Sequence, residues 1–186
     1  MNPYLQAWHD HLTPGKALDI GAGDGETSLW LANHGFSVDA LEPDPQQASS
    51  LRARAASFPI QLHQVDLLEF NIPSEHYDLI VASAVLHFID AELLPLLSQR
   101  LIRGLRPGGM LFAASFTIDD PSAQKHPLEC SGRVRHYFEP GALCHLFQPL
   151  DILYYDESRR TAPESTYGYR AGATLIARRS PECSQR

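Results

Sequence analysis

The stretch ALDIGAGDGE, Ala17 to Glu26, constrains this chain more than any other. A short apolar strand runs into glycines at 21, 23 and 25, and a helical pattern begins at once. Bare backbone lets a chain turn sharply from strand to helix and lets a ligand lie against the peptide. The remaining sequence keeps the same alternation, which predicts a parallel α/β sheet. KALDIGA is the first strand, followed by a helix from about Glu26 to His34 that stops at Gly35. FSVDALE is the second strand. Asp44 can then cap a helix with Pro45 at its first position and Gln47 completing a capping box. That helix should run to about Ser57 and bury Ala48, Leu51 and Ala55.

IQLHQVD is the third strand, ending at Asp66, and YDLIVASAVLHF holds the fourth strand and its loop. Leu93, Leu97, Leu101 and Leu105 recur every four residues, so a helix should face them inward until LRPGG stops it, with Pro107-Gly108 suited to a type II turn. MLFAASFTI is the fifth strand. Residues 119–138, broken by Pro121, Pro127 and Gly132, read as a cover over the strand tips. EPGALCHLF forms a last helix, and DILYYDESRR with GYRAGATLIARR forms a closing antiparallel pair. About seven strands result, in a doubly wound sheet. Leu5, Trp8 and Leu12 suggest a short amphipathic helix within residues 1–14, in which Tyr4 and Trp8 either pack on the domain or close over a ligand. Residues 179–186 read as a frayed tail.

A chain of 186 residues fits one domain, expected over 1–186. With 15 basic against 22 acidic residues, net charge −7, it lacks the basic footprint that nucleic acid or an anionic membrane needs. Its three cysteines show no CxxC spacing, so neither a disulfide framework nor a zinc or other metal site is expected, and a reducing cytoplasm is the expected setting. The first residues carry no secretory pattern, and no apolar run approaches the ~20 residues that span a bilayer.

Glycine turns after a first strand usually hold phosphates, yet this one carries Asp19, Asp24 and Glu26. The dinucleotide fingerprint GxGxxG needs glycine at 26, where glutamate brings bulk and negative charge to the pyrophosphate position. A cationic nucleoside without phosphates fits better, and S-adenosylmethionine is one. Asp19 can anchor the turn and hold its ammonium. Glu42, at the tip of strand two, can accept from both ribose hydroxyls. Asp66, at the tip of strand three, can accept from the adenine amino group beside the Leu67 N–H. Gly21, Ala22, Gly23 and Pro43 would line the same site, with Ser83 at the end of strand four. Taken singly, Glu42 reads equally as a solvated strand end and Asp66 as a helix cap. Their occurrence at successive strand tips is what points to a cofactor site.

LDIGAGDG, the acid at Glu42, VDLLEF, YDLIVASAVLHF and LRPGG together resemble class I S-adenosylmethionine-dependent methyltransferases over about residues 17–118. The resemblance implies a Rossmann-like seven-stranded sheet of order 3-2-1-4-5-7-6, last strand antiparallel, with helices on both faces. VDALEPDPQQA, AVLHFID, GRVRHYFEPG and RAGATLIARR are similar to the bacterial tellurite-resistance methyltransferases of the TehB type. That likeness implies an oxyanion held by basic residues, here Arg135, Arg159, Arg160 and Arg170. The chain departs from that family in having Asp24-Gly25-Glu26 for Asn-Gly-Arg and Arg159-Arg160 for His-Arg.

Methyl transfer from a sulfonium is an in-line displacement in which proximity and orientation supply most of the acceleration. A soft nucleophile such as a tellurite-like oxyanion needs no general base. An amine or hydroxyl acceptor would, and His87, just after strand four, is its candidate, with a pocket-wall role the alternative. Arg133 and Arg135 share one face of an extended segment and could clamp an anion. The expected catalytic set is His87, Arg135 and Arg170, acting on a small molecule. Other readings are a methyltransferase of small organic metabolites, a binding-only relative and, against the acidic turn, a nicotinamide oxidoreductase.

Overall fold

The strand interiors 17–20, 38–41 and 79–82 are buried throughout, as the middle of a sheet covered on both sides requires. The computed structural model describes residues 2–125, 136–163, 165 and 167–181. Arg133 and Arg135 of the expected anion clamp lie outside the described residues. The elements are α1 (Pro3–Ala7), β1 (Lys16–Ile20), α2 (Glu26–Asn33), β2 (Ser37–Leu41), α3 (Pro45–Arg54), β3 (Ile60–His63), β4 (Tyr77–Ser83), α4 (Leu94–Gly104), β5 (Leu105–Phe116), α5 (Pro121–Lys125), α6 (Ala142–Leu146), β6 (Asp151–Thr161) and β7 (Tyr169–Arg178). Short 3-10 turns occupy His9–His11, Leu86–Phe88 and Ala91–Leu93. No helix among the described residues is long and apolar enough to cross a membrane.

The seven strands run β3-β2-β1-β4-β5-β7-β6. Neighbours from β3 to β5 are parallel, and β7 is antiparallel to both β5 and β6. The expected order and the reversed last strand are both present. Alternate residues feed two cores. On one face Ala17, Val38, Val81, Phe112 and Ile176 pack under Leu5 of α1, Leu31 of α2 and Leu51 of α3. On the other, Leu18, Ile80, Leu111 and Leu175 meet Leu97 and Leu101 of α4 and Leu143 of α6.

The inward stripe of α4 differs from the expected one. Leu97 and Leu101 are buried, but Leu93 is 37% exposed and Leu94 takes its place. Pro95 in the first turn starts α4 at Leu94, and the preceding residues form a 3-10 turn, so Leu93 is out of phase with the helix. Leu105 belongs to β5 rather than to the helix. At the other end of the chain, the rings of Tyr4 and Trp8 meet Tyr154 of β6 at a tilt, with centroids 5.5 and 6.2 Å away, so the first segment packs against the sheet.

In the terminal hairpin, Arg160 of β6 lies directly opposite Arg170 of β7, and Arg159 lies opposite Ala171. Period-2 alternation therefore sends Arg159 and Arg160 to opposite faces.

Candidate active site

The tips of the first two strands face the segment after β4 across a cleft of about 630 Å³, lined by Gly21, Glu42, Pro43 and residues 44–47 on one side and Ala84, Val85 and Phe88 on the other. A smaller recess of about 40 Å³ shares Gly21, Pro43, Val85 and Phe88 and adds Asp66 and Leu67.

Glu42 is the organising side chain. One carboxylate oxygen accepts the Gly23 N–H and the other the Asp44 N–H, each at 2.8 Å. The carboxylate is thereby fixed, and each oxygen keeps a lone pair for a ligand hydroxyl. Asp44 caps α3 as expected, accepting from the N–H groups of Gln46 and Gln47. The reciprocal bond to the Asp44 N–H comes from Glu42, not from the Gln47 side chain that a capping box would use.

The glycine turn is shaped by its backbone. Gly25 precedes α2 at φ +91°, a left-handed backbone that favours glycine, and a Cβ there would also strike the end of the Leu51 side chain of α3. Gly23, at φ +58°, has nothing within 4 Å of an added Cβ and stands open to a ligand. Asp19 lies beneath this turn, 3% exposed, accepting from the Ser28 hydroxyl at 2.6 Å. Burial pushes its carboxyl up to about 6; the Ser28 hydroxyl and N–H oppose this, and the charge of Glu42 adds to it. The turn is less acidic than its residues suggest, because Arg54 of α3 pairs with the Asp24 carboxylate and donates to its carbonyl at 2.9 Å. Asp66 accepts the Leu68 N–H at 3.0 Å, and its carbonyl accepts from Glu69 and Phe70, so it also caps its own turn.

A third pocket, about 110 Å³, opens on the far side of Ala84, which lines both spaces. Ala84 has φ +55°, a left-handed conformation that non-glycine residues adopt at a cost; its N–H is tied to the Ala114 carbonyl at 2.8 Å. Ser83 lines this third pocket, not the cleft, together with Asn2, Ser115, Phe116 and Thr174. Arg160 and Arg170 supply its charge. Arg160 donates to Thr174 at 2.9 Å, lies 3.4 Å from Asp156 and sits over the Tyr4 ring. Arg170 donates through Nε to Asp120 at 2.8 Å and lies 3.9 Å over the Phe116 ring. Nε of Arg160 and Nη2 of Arg170 are buried and have no hydrogen-bond partner among the described residues. Arg159 is on the opposite face, 3.8 Å from Asp119, and 64% of its side chain is exposed. His87 is buried, 1% exposed, with Nδ1 3.2 Å from the Ser115 hydroxyl, so it meets the third pocket through Ser115.

The methyltransferase domain family matches residues 17–109, the span that carries the glycine turn, Glu42 and Asp66. The chain belongs to this family. Among curated relatives, Hemagglutinin 1 of Eikenella corrodens is 28% identical over 79% of this chain and 47% of its own length. The probable S-adenosyl-L-methionine-dependent methyltransferase TehB of Haemophilus influenzae is 29% identical over 59% of this chain and 39% of its own. The chain therefore spans about half the length, or less, of these relatives. The crystal structure of TehB from Haemophilus influenzae superposes with a TM-score of 0.81 at 22% identity, covering 97% of this chain and 63% of that one, a likeness of fold. A Burkholderia thailandensis 1,6-didemethyltoxoflavin N1-methyltransferase, solved with S-adenosylhomocysteine, superposes at 0.75 with 21% identity over 96% of this chain and 77% of that one.

The cleft suits S-adenosylmethionine, the cofactor expected from the sequence. Gly23 leaves bare backbone where a nucleoside can approach, Glu42 presents two anchored oxygens, and Asp19 is a buried carboxylate whose ionisation a nearby cation would favour. Phe88 was read in the sequence as core or pocket wall and lines the cleft; the walls supplied by Ala84 and Val85, and the partners Asp120, Ser115 and Thr174, were not found there. Ala84 and Val85 fell within the loop assigned to strand four, where small apolar residues carry no chemical signal. Asp120 lies fifty positions from Arg170, and no spacing rule joins them.

Proposed function

We propose that this protein transfers a methyl group from S-adenosylmethionine to a small oxyanion bearing a soft nucleophilic atom, of the tellurite or selenite kind. The observation that carries this reading is the third pocket: two arginines line about 110 Å³, each with a buried N–H lacking a partner among the described residues, next to the cleft through Ala84. A buried donor left unpaired costs ~1–3 kcal/mol, a cost that acceptor oxygens would relieve. The volume favours an acceptor of few heavy atoms. S-adenosylmethionine supplies an electrophilic sulfonium methyl. Gly23, Glu42 and Asp66 are read as fixing the nucleoside, Asp19 as holding the ammonium, and Arg170 with Arg160 as orienting the acceptor in line. Arg135 belongs to the same reading through the family resemblance.

A second reading is a small organic hydroxyl or amine acceptor. The contact of His87 with Ser115, whose residue lines the same pocket, favours it, because such an acceptor needs a proton taken away.

In a thermal-shift panel, S-adenosylmethionine and S-adenosylhomocysteine should raise the melting temperature and NAD should leave it unchanged; the reverse pattern would overturn the cofactor assignment. Incubation with methyl-labelled cofactor and tellurite, selenite, thiols or amines should label the oxyanions first. Label appearing only in amines would favour the second reading. In cells, Arg170→Ala should abolish tellurite protection while cofactor affinity is kept, and a wild type that protects against nothing would remove that substrate.

A further inference from the structure

Asp120 follows β5 and is fully buried. Its Oδ2 accepts from Nε of Arg170 at 2.8 Å and from the Ala171 N–H at 3.0 Å, and its Oδ1 accepts the Ser122 N–H at 3.0 Å. Burial works to raise its pKa, but the hydrogen bonds from Arg170, Ala171 and Ser122 outweigh burial and hold the carboxyl below the usual carboxylate range. The guanidinium it grips is held from a second direction by the Phe116 ring, 3.9 Å from its centre. Anchoring through Nε leaves the two Nη groups of a rigid fork without a bond to Asp120; Nη2 is buried and has no partner among the described residues, and a third of the side chain is exposed. Arg170 and Phe116 both line the pocket next to the cofactor cleft.

Replacing a buried ion pair by apolar residues is often neutral or stabilising, so its presence is weak evidence of a stabilising role. A structural pair would also use the donors it desolvates. We infer that Asp120 is the positioning residue that aims the Nη edge of Arg170 at the methyl acceptor. This rests on the oxyanion reading. Arg160, directly across the hairpin, has a separate anchor in Asp156 and Thr174, so the two cations are aimed independently.

The test is calorimetric titration of selenite into the full chain saturated with S-adenosylhomocysteine, for wild type, D120N, D120E and R170A. D120N removes the charge with little change in volume; D120E keeps the charge and moves the carboxylate by one methylene, so either informs if the other fails to fold. Both should weaken selenite binding by about tenfold or more, the scale for a hydrogen bond to a charged group. Affinity for S-adenosylhomocysteine should stay within about twofold, as for sites that do not share partners. Combined with R170A, D120N should add no further loss of selenite affinity, because Asp120 acts through Arg170. A merely structural role would instead lower cofactor and selenite affinity together. Selenite binding unchanged in a folded D120N or D120E would overturn the inference alone. A wild type that binds S-adenosylhomocysteine but neither selenite nor tellurite would remove the oxyanion reading and the inference with it.

Discussion

Replacing Glu42 with alanine is expected to weaken S-adenosylhomocysteine binding by about ten- to a hundredfold, corresponding to ~1–3 kcal/mol for a charge-assisted hydrogen bond. Two effects combine. The direct one is loss of the oxygens read as accepting from the ribose hydroxyls. The indirect one is local: the carboxylate ties the Gly23 N–H to the Asp44 N–H, joining the glycine turn to the start of α3. Without it both donors lose their partner and the turn loses its brace. Glu42→Gln separates the two. Its amide keeps one accepting oxygen but sets an NH2 group against the other N–H, so it should retain part of the brace and bind less tightly than wild type. Calorimetry on both variants decides; an unchanged affinity in Glu42→Ala would take Glu42 out of the site.

Cofactor affinity is expected to rise with pH up to about 6 and to level off above it. Asp19 is the cause, since its carboxyl in the free protein is pushed up to about 6, against an ordinary 3.8. A cation beside a carboxylate favours the ionised form, so binding of the ammonium and loss of the proton are linked. Below pH 6 the protonated form dominates, and affinity should fall toward about tenfold per pH unit. Folding has the opposite sign. A carboxyl whose pKa is raised by folding holds its proton more tightly in the native state, so its contribution to stability is most favourable below about pH 4 and declines as pH rises to 6. Asp19→Asn removes both effects: its binding should be weaker and nearly flat across this range. A wild-type affinity that does not change between pH 5 and 7 would mean that Asp19 does not meet the cofactor charge.

Much of this architecture was legible in local patterns. The glycine turn, the cap at Asp44, the stop at Gly35 and the two long terminal strands are signals carried by neighbours in sequence, and the structure contains each of them. Glu42 and Asp66 were legible because residues at strand tips converge on one end of such a sheet. What escaped depends on packing between distant segments. Arg54 reaches back to Asp24, and Glu42 replaces Gln47 at the Asp44 N–H, because α3 lies against the turn. The phase of α4 slipped by one position because a proline, not the leucine spacing, sets where the helix begins. Ser83 lines the third pocket rather than the cleft, and the chain turns through a strained Ala84 immediately after it.

The opposition of Arg160 and Arg170 across the last hairpin has an evolutionary consequence. Pairing register has a period of two, so an insertion or deletion of one residue in β6 ahead of Arg160 would rotate that strand's side chains to the other face. An insertion that shifted β6 by one residue would put Arg159 in the place of Arg160 and Tyr155 in that of Asp156, while β1 to β3, at the other end of the sheet, would be untouched. On the proposed function, a single indel in a terminal hairpin would change the pocket read as holding the acceptor and leave the cleft read as holding the cofactor. That reading would let acceptor range diverge separately from cofactor binding.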